Sequence, residues 1–366
     1  MKYTKLKRIN KYDKAKKTKV KNYGISILKS VMAFLVLSDH CFNPLSTKNK
    51  IILYINAKRI LHVPTFFIIS FYFMCDNLLS LYIKHLLKRL IRLLIPYIGW
   101  SIIILKINNF FNKKYNTKIT DSYEELKIQI LWGHRYNYQF WFQWNLILIT
   151  IIIFIIIFIF RKYALFVLYI LLILFYFAQY SEYHYKNYFR KYPNYKGTTL
   201  GFLFESVPFA ITGFTLGYYK IFDILTKNKI EVLVLSLLVY KLISDYDIFT
   251  NIKGVIYQGI KLNILSICLV FIFSLFPSEK IKNKFFSKFL ISITNHTAGV
   301  YYVHVAVNNY LSVFILTIKN GTFLGLIITY IICYYIFFIG IIFFRKTPLR
   351  YLTKLFYQFI YYLYEN

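Results

Sequence analysis

The sequence predicts an all-α, polytopic integral membrane protein with about ten transmembrane helices. Three observations carry that prediction. The chain of 366 residues is 58% hydrophobic, with 37 Phe and 36 Tyr, and its apolar residues come in long runs rather than in amphipathic stripes. The segment from Ile147 to Phe160, in which Thr150 is the one polar residue, is the plainest case. Runs of this kind at spanning length read as membrane helices. The Lys and Arg residues, which give a formal net charge of +32, fall mostly in the N-terminal tail and in the gaps between the runs, as expected of loops that touch anionic headgroups and fix topology.

Taken in order, residues 1–22 form a basic cytoplasmic tail, residues 23–344 a transmembrane domain and residues 345–366 a cytoplasmic C-terminal tail. The first 21 residues hold ten Lys or Arg against the single acid Asp13, a block that reads as solvated and retained inside the cell. No small-residue cleavage site follows the first apolar run, so it is expected to remain as the first helix. The predicted helices are 23–42, 60–79, 90–107, 139–160, 163–179, 200–219, 230–244, 257–276, 292–316 and 322–344. An even number of crossings puts both termini in the cytoplasm, and the short basic turn Arg161-Lys162 agrees. Two long external loops, about 108–138 and 180–199, separate helices, and the second is rich in Tyr. The expected location is the plasma membrane, with membrane lipids as the surrounding partner.

Composition also excludes functions. Positive charge confined to tail and loops does not describe a nucleic-acid interface. Cys41, Cys75, Cys268 and Cys333 lie in or beside apolar runs with no paired spacing, so neither a disulfide framework nor a zinc site is indicated, and they read as small hydrophobes. No metal is expected.

Against this background the ionisable residues inside apolar runs stand out, because placing them there is costly. Lys29 and His40 are separated by ten residues in the first run. On a helix that is three turns plus about 20°, which stacks both side chains on one face about 16 Å apart. After the second run, His85, Lys88, Arg89 and Arg92 fall at i, i+3, i+4 and i+7, so a helix there carries one basic stripe. Such a stripe serves either as a topology anchor or as a grip on phosphate, for which Arg forks are suited. Glu205 is a lone acid in an apolar run and reads equally as a structural ion-pair partner. His304 reads as a core histidine or as a participant in the chemistry. Asp39 points about 100° away from His40 on a helix and is a poor orienting partner. His62, His134 and His184 lie at predicted external edges and attract no assignment.

Several segments together carry a resemblance. They are Lys29-x10-His40, the run from His62 to Tyr72, Arg89-x-x-Arg92 leading to Leu94-Ile-Pro-Tyr-Ile-Gly-Trp100, Phe140-Trp-Phe-Gln-Trp-Asn-Leu146, Glu205-Ser-Val-Pro-Phe-Ala-Ile-Thr-Gly213 and Thr297-Ala-Gly-Val-Tyr-Tyr-Val-His304. Their joint order resembles the membrane acyltransferase 3 family, whose members are ten-helix enzymes that O-acylate cell-surface glycans. The resemblance implies that Lys29 and His40 take the family's Arg-or-Lys and His positions, that Arg89 and Arg92 take its Arg-x-x-Arg positions, and that His304 matches a late histidine. Phe71 departs from the family's usual Gly, which questions local helix packing.

The chemistry suits these residue types. Moving an acyl group from a thioester to a hydroxyl needs a base matched to neutral pH, a cationic grip on a polyanionic donor and a hydrogen-bond donor to the developing oxyanion. His40 with Lys29 supplies the first, and Arg89, Arg92 and Lys88 the second. His40 either takes the hydroxyl proton or carries the acyl group covalently. The expected donor is acyl-CoA, most often acetyl-CoA, and the acceptor a glycan or lipid-linked sugar. A glycan or lipid exporter is the alternative, since ten helices with buried charges also describe carriers, yet no inverted repeat is visible. Acceptor identity and oligomeric state stay open.

Overall fold

A computed structural model describes residues 23–41, 61–115, 123–132, 140–184, 199–225, 227–245, 259–276, 322–346 and, in the remaining stretch, 292, 297, 299–308, 310, 311 and 315. The described residues are helical with connecting turns and hold no strand. In chain order the helices are α1 (Tyr23–Cys41), α2 (His62–Leu79), α3 (Ile83–Tyr115), α4 (Tyr123–Trp132), α5 (Trp141–Phe160), α6 (Ala164–His184), α7 (Thr199–Tyr218), α8 (Ile221–Leu225), α9 (Lys229–Asp245), α10 (Ile260–Ser274), α11 (residues 299–308) and α12 (Phe323–Lys346).

Each of the ten apolar segments overlaps one of these helices, though the described helix in the 292–316 segment covers only residues 299–308. By length and composition, three helical stretches among the described residues can cross a membrane: His62–Leu79, Ile83–Phe110 and Trp141–Gln179. The last is α5 and α6 joined by a one-turn 3-10 helix, Arg161–Tyr163. Arg161 breaks the helical run with φ 47° and ψ −110°, and α6 then packs back on α5. Leu81 and Lys220 also take positive φ, at 54° and 51°, in the turns after α2 and α7. A left-handed residue without glycine is costly. It is used here where a chain leaving one long helix must reverse within a few residues.

Two differences from expectation concern α3 and the first long loop. The helix starts at Ile83 rather than near 90 and runs to Tyr115, so the basic stripe belongs to its first turns and not to a preceding loop. The segment expected as a loop from about 108 therefore begins helical, and it contains the short helix α4. The Tyr-rich segment and both predicted tails lie almost wholly outside the described residues.

The centre of the bundle is the pairing of α2 with α7. Gly213 and Gly217 stand one turn apart on α7. A Cβ on Gly213 would lie 2.3 Å from the Ile68 carbonyl oxygen, and one on Gly217 would lie 2.6 Å from that of Tyr72. Both contacts advance by four residues on each chain, so the helices run parallel with their backbones in near contact. Between membrane helices, where lipid is as apolar as leucine, such close approach replaces the hydrophobic effect as the source of association. Polar side chains add to it. Asn263 on α10 donates to Thr212 Oγ1 at 2.7 Å and to the Tyr176 hydroxyl. Gln179 donates to the Phe204 carbonyl at 3.3 Å and accepts from the Gly259 N–H at 3.1 Å.

Phe71, the departure noted above, is fully buried in the core between these helices, so the packing accommodates it. Cys75, Cys268 and Cys333 are free and buried, as small hydrophobes are. Outward-facing residues of α5 and α6 are large and apolar, including Phe158, Ile159, Phe166, Ile173 and Phe177. A contiguous exposed band of this kind fits lipid rather than water.

Candidate active site

The stripe on the first turns of α3 becomes one wall of a cavity of about 390 Å³, where His85, Lys88, Arg89 and Arg92 face Ser70, Phe73 and Asn77 of α2. A second cavity of about 320 Å³ adjoins it, and Lys29, Gln143, Thr297, Tyr301 and Tyr302 are among its lining residues. Ser70, Phe73 and Arg89 line both. Arg89 is thus the wall that a basic vestibule shares with a second chamber, and no carboxylate lines either space among the described residues.

Two features hold Arg89 in that position. Its Nη2 donates to Ser70 Oγ at 2.6 Å, while its buried Nε has no hydrogen-bond partner among the described residues. A guanidinium N–H left in this way within a cavity wall is a ready donor to an anionic oxygen. The second feature starts from Pro96 inside α3. Proline has no N–H, so the carbonyl four residues earlier, that of Arg92, loses its helical donor, and the ring crowds that turn. In the same turn Gln143 Nε2 donates to the Leu93 carbonyl at 2.7 Å. Its Oε1 accepts from the Tyr302 hydroxyl. One amide therefore ties α3, α5 and α11 together around the chamber.

Lys29 reaches the chamber from α1, with Nζ 5.7 Å from the Phe73 ring centroid. Near the other end of the same helix, His40 stacks on His304 with ring centroids 4.9 Å apart and planes at 29°. His304 is fully buried. Its Nδ1 lies 2.7 Å from the Tyr301 carbonyl and 3.1 Å from that of Val300. Carbonyls accept only, so Nδ1 carries the proton, and Nε2 presents its lone pair with no partner among the described residues. Asn308 closes the end of α1 by donating to the His40 carbonyl at 3.4 Å.

The structure thus brings Lys29, Arg89, Arg92 and Lys88 onto two adjoining cavities and pairs His40 with His304. It does not bring Glu205 to either lining; that acid sits on α7 beside Ser206, which accepts a 3.4 Å hydrogen bond from Asn145. His62 is an addition. It is the first residue of α2 and is buried there, and together with His40 it lies within electrostatic reach of His304. Among the described residues no group of three or more His, Cys, Asp or Glu is placed to hold a metal ion.

The family model described as Acyltransferase domain, Acyl_transf_3, matches residues 22–345. The chain belongs to that family. It is accordingly a membrane acyltransferase-family protein, and the matched span takes in every helix that lines the two cavities. No curated protein and no solved structure matches the chain.

The weight of the basic wall is measurable. Replacing Arg89 and Arg92 together with Gln tests what the wall grips: if it holds the phosphates of an acyl-CoA donor, the apparent KM for acyl-CoA rises much more than that for the acceptor. Unchanged saturation by acyl-CoA would reduce the stripe to a topology anchor.

Proposed function

We propose that this acyltransferase moves an acyl group, acetyl in the first instance, from cytoplasmic acyl-CoA to a hydroxyl of a cell-surface or lipid-linked glycan. On this reading it sits in the plasma membrane with both termini cytoplasmic. The observation that carries the proposal is Arg89 on the wall shared by the basic vestibule and a chamber lined by Tyr301, whose ring lies 5.9 Å from that of His304, the stacking partner of His40.

Each part has a chemical task. Arg89, Arg92 and Lys88 bind the phosphates of the donor as charge-assisted hydrogen-bond donors. Lys29, three turns below His40 on α1, adds positive charge along the path. The thioester arm occupies the second chamber, which brings its carbonyl towards the imidazole pair. The acceptor oxygen forms the new C–O bond, the C–S bond breaks, and the hydroxyl proton passes by way of His40 to the departing thiolate. If His40 first carries the acyl group, a C–N bond to its imidazole forms as the C–S bond breaks and the ring's N–H proton goes to the thiolate; the acceptor oxygen then forms the C–O bond as the C–N bond breaks, and its hydroxyl proton returns to the imidazole. His304, its Nδ1 held by the Val300 and Tyr301 carbonyls, is fixed in orientation and presents its ring face to His40.

Mass spectrometry of surface glycans from cells with and without the chain tests the reading. Loss of one acyl increment from a glycan when the chain is removed is the expected result. Identical glycan masses would overturn it.

A further inference from the structure

The second chamber ends against aromatic rings. Phe142 is 8% exposed, and its ring lies 6.0 Å from Phe66, 4.7 Å from Phe67 and 5.3 Å from Tyr301, centroid to centroid. Contacts on three sides pin it. The Tyr301 ring is in turn 5.9 Å from that of His304, which stacks on His40. Phe142 and Tyr301 thus line the same chamber as Arg89, and Tyr301 joins that lining to the imidazole pair.

The lining beside Phe142 is apolar, with Phe66, Ile69, Leu93 and Leu146. Its one nearby amide, Gln143, is engaged at both ends by the Leu93 carbonyl and the Tyr302 hydroxyl. Chemically, this part of the chamber accepts alkyl groups of any length. What limits length is space, and the ring of Phe142 takes that space.

We propose that Phe142 is a specificity-determining residue: its ring is the wall met by the acyl chain of the donor, and it confines the enzyme to short acyl groups. This rests on the acyl-CoA reading given above. Tyr301 is the weaker choice for the same task, because its ring packs against that of His304 and a change there would disturb the imidazole pair as well.

The test uses the full-length protein in native membranes, whose own glycans serve as acceptors, with acetyl-CoA and hexanoyl-CoA as donors. Wild type, Phe142→Ala and Phe142→Leu are compared by thiol release and by the mass increment on the glycan. The quantity read is the ratio of kcat/KM for hexanoyl over acetyl. Wild type should favour acetyl, and Phe142→Ala should raise the ratio by about 10- to 200-fold, the range that a methylene commands in an apolar pocket. Phe142→Leu, which keeps a large apolar side chain against Phe66 and Phe67, should give a smaller rise and carries the test if the alanine variant fails to accumulate. An unchanged ratio in an accumulated variant, or a wild type indifferent to chain length, overturns the role of Phe142 while leaving the acyl-CoA reading intact. No thiol release by wild type from either donor overturns the donor reading, and this inference with it.

Discussion

Replacing His40 with alanine is expected to abolish acyl transfer while leaving the protein in the membrane. Loss of a single general base typically costs about 100-fold or more in rate, and loss of an acyl-carrying nucleophile costs at least as much. The structural consequence should be small. His304 does not depend on His40 for its orientation, because its Nδ1 is tied to the Val300 and Tyr301 carbonyls. The α1 helix is held elsewhere by Leu28, Met32 and Leu37, all buried, and by the Phe34 ring against Tyr330 at 5.7 Å. Acylated glycan and thiol release are measured on membranes with matched protein levels. Near-normal acylation by a well-accumulated variant would remove His40 from the chemistry. The same assay separates the two roles left open for the residue: one equivalent of thiol released by wild type without acceptor marks an acyl-histidine, and its absence marks a base.

Several of these residues were legible because they violate the rule of their surroundings. A lysine and a histidine inside an apolar run are expensive there, so Lys29 and His40 announce themselves without any structure, whereas Arg89 and Arg92 stand out by the helical spacing of a basic stripe. The helices announced themselves through the length of the runs. What stayed hidden depended on partners distant in sequence. Gln143 is one polar residue among tryptophans until its hydrogen bonds to the Leu93 carbonyl and the Tyr302 hydroxyl, both distant in sequence, are seen. His62 sits at the edge of a run and reads as interfacial, yet helix packing buries it beside His304. The start of α3 was missed because a basic stripe lowers local hydrophobicity, although its i, i+3, i+4, i+7 spacing already described a helix. Glu205 satisfied the same rule of an ionisable group in an apolar run and still lies off the cavity linings. Cost alone marks a residue as needing a partner, and the partner's location decides whether it serves the site.

Inserting one alanine between Val36 and Leu37 is expected to abolish transfer even though every site residue is still present. Lys29 and His40 are carried by one uninterrupted helix. Lys29 lines the chamber beside Arg89 and His40 stacks on His304, so the spacing of eleven positions sets both contacts at once. One extra residue rotates everything beyond it by about 100° and lifts it by about 1.5 Å, which takes the His40 ring off His304 while Lys29 keeps its place. The insertion also shifts Leu37 from its buried contact with Leu326, so a folding defect has to be separated from a lost alignment. Two comparisons do this. Lys29→Arg keeps the charge and the register and should retain much of the activity, although a guanidinium fills the position differently from an ammonium. Lys29→Met keeps the register and loses the charge, and should weaken donor saturation without abolishing turnover. An insertion variant that accumulates like Lys29→Arg, binds acyl-CoA with a similar apparent affinity and transfers nothing would show that the vestibule is intact and that the register of α1 delivers His40 to the reaction. Full transfer by that variant would mean that the shared face of Lys29 and His40 has no part in the mechanism.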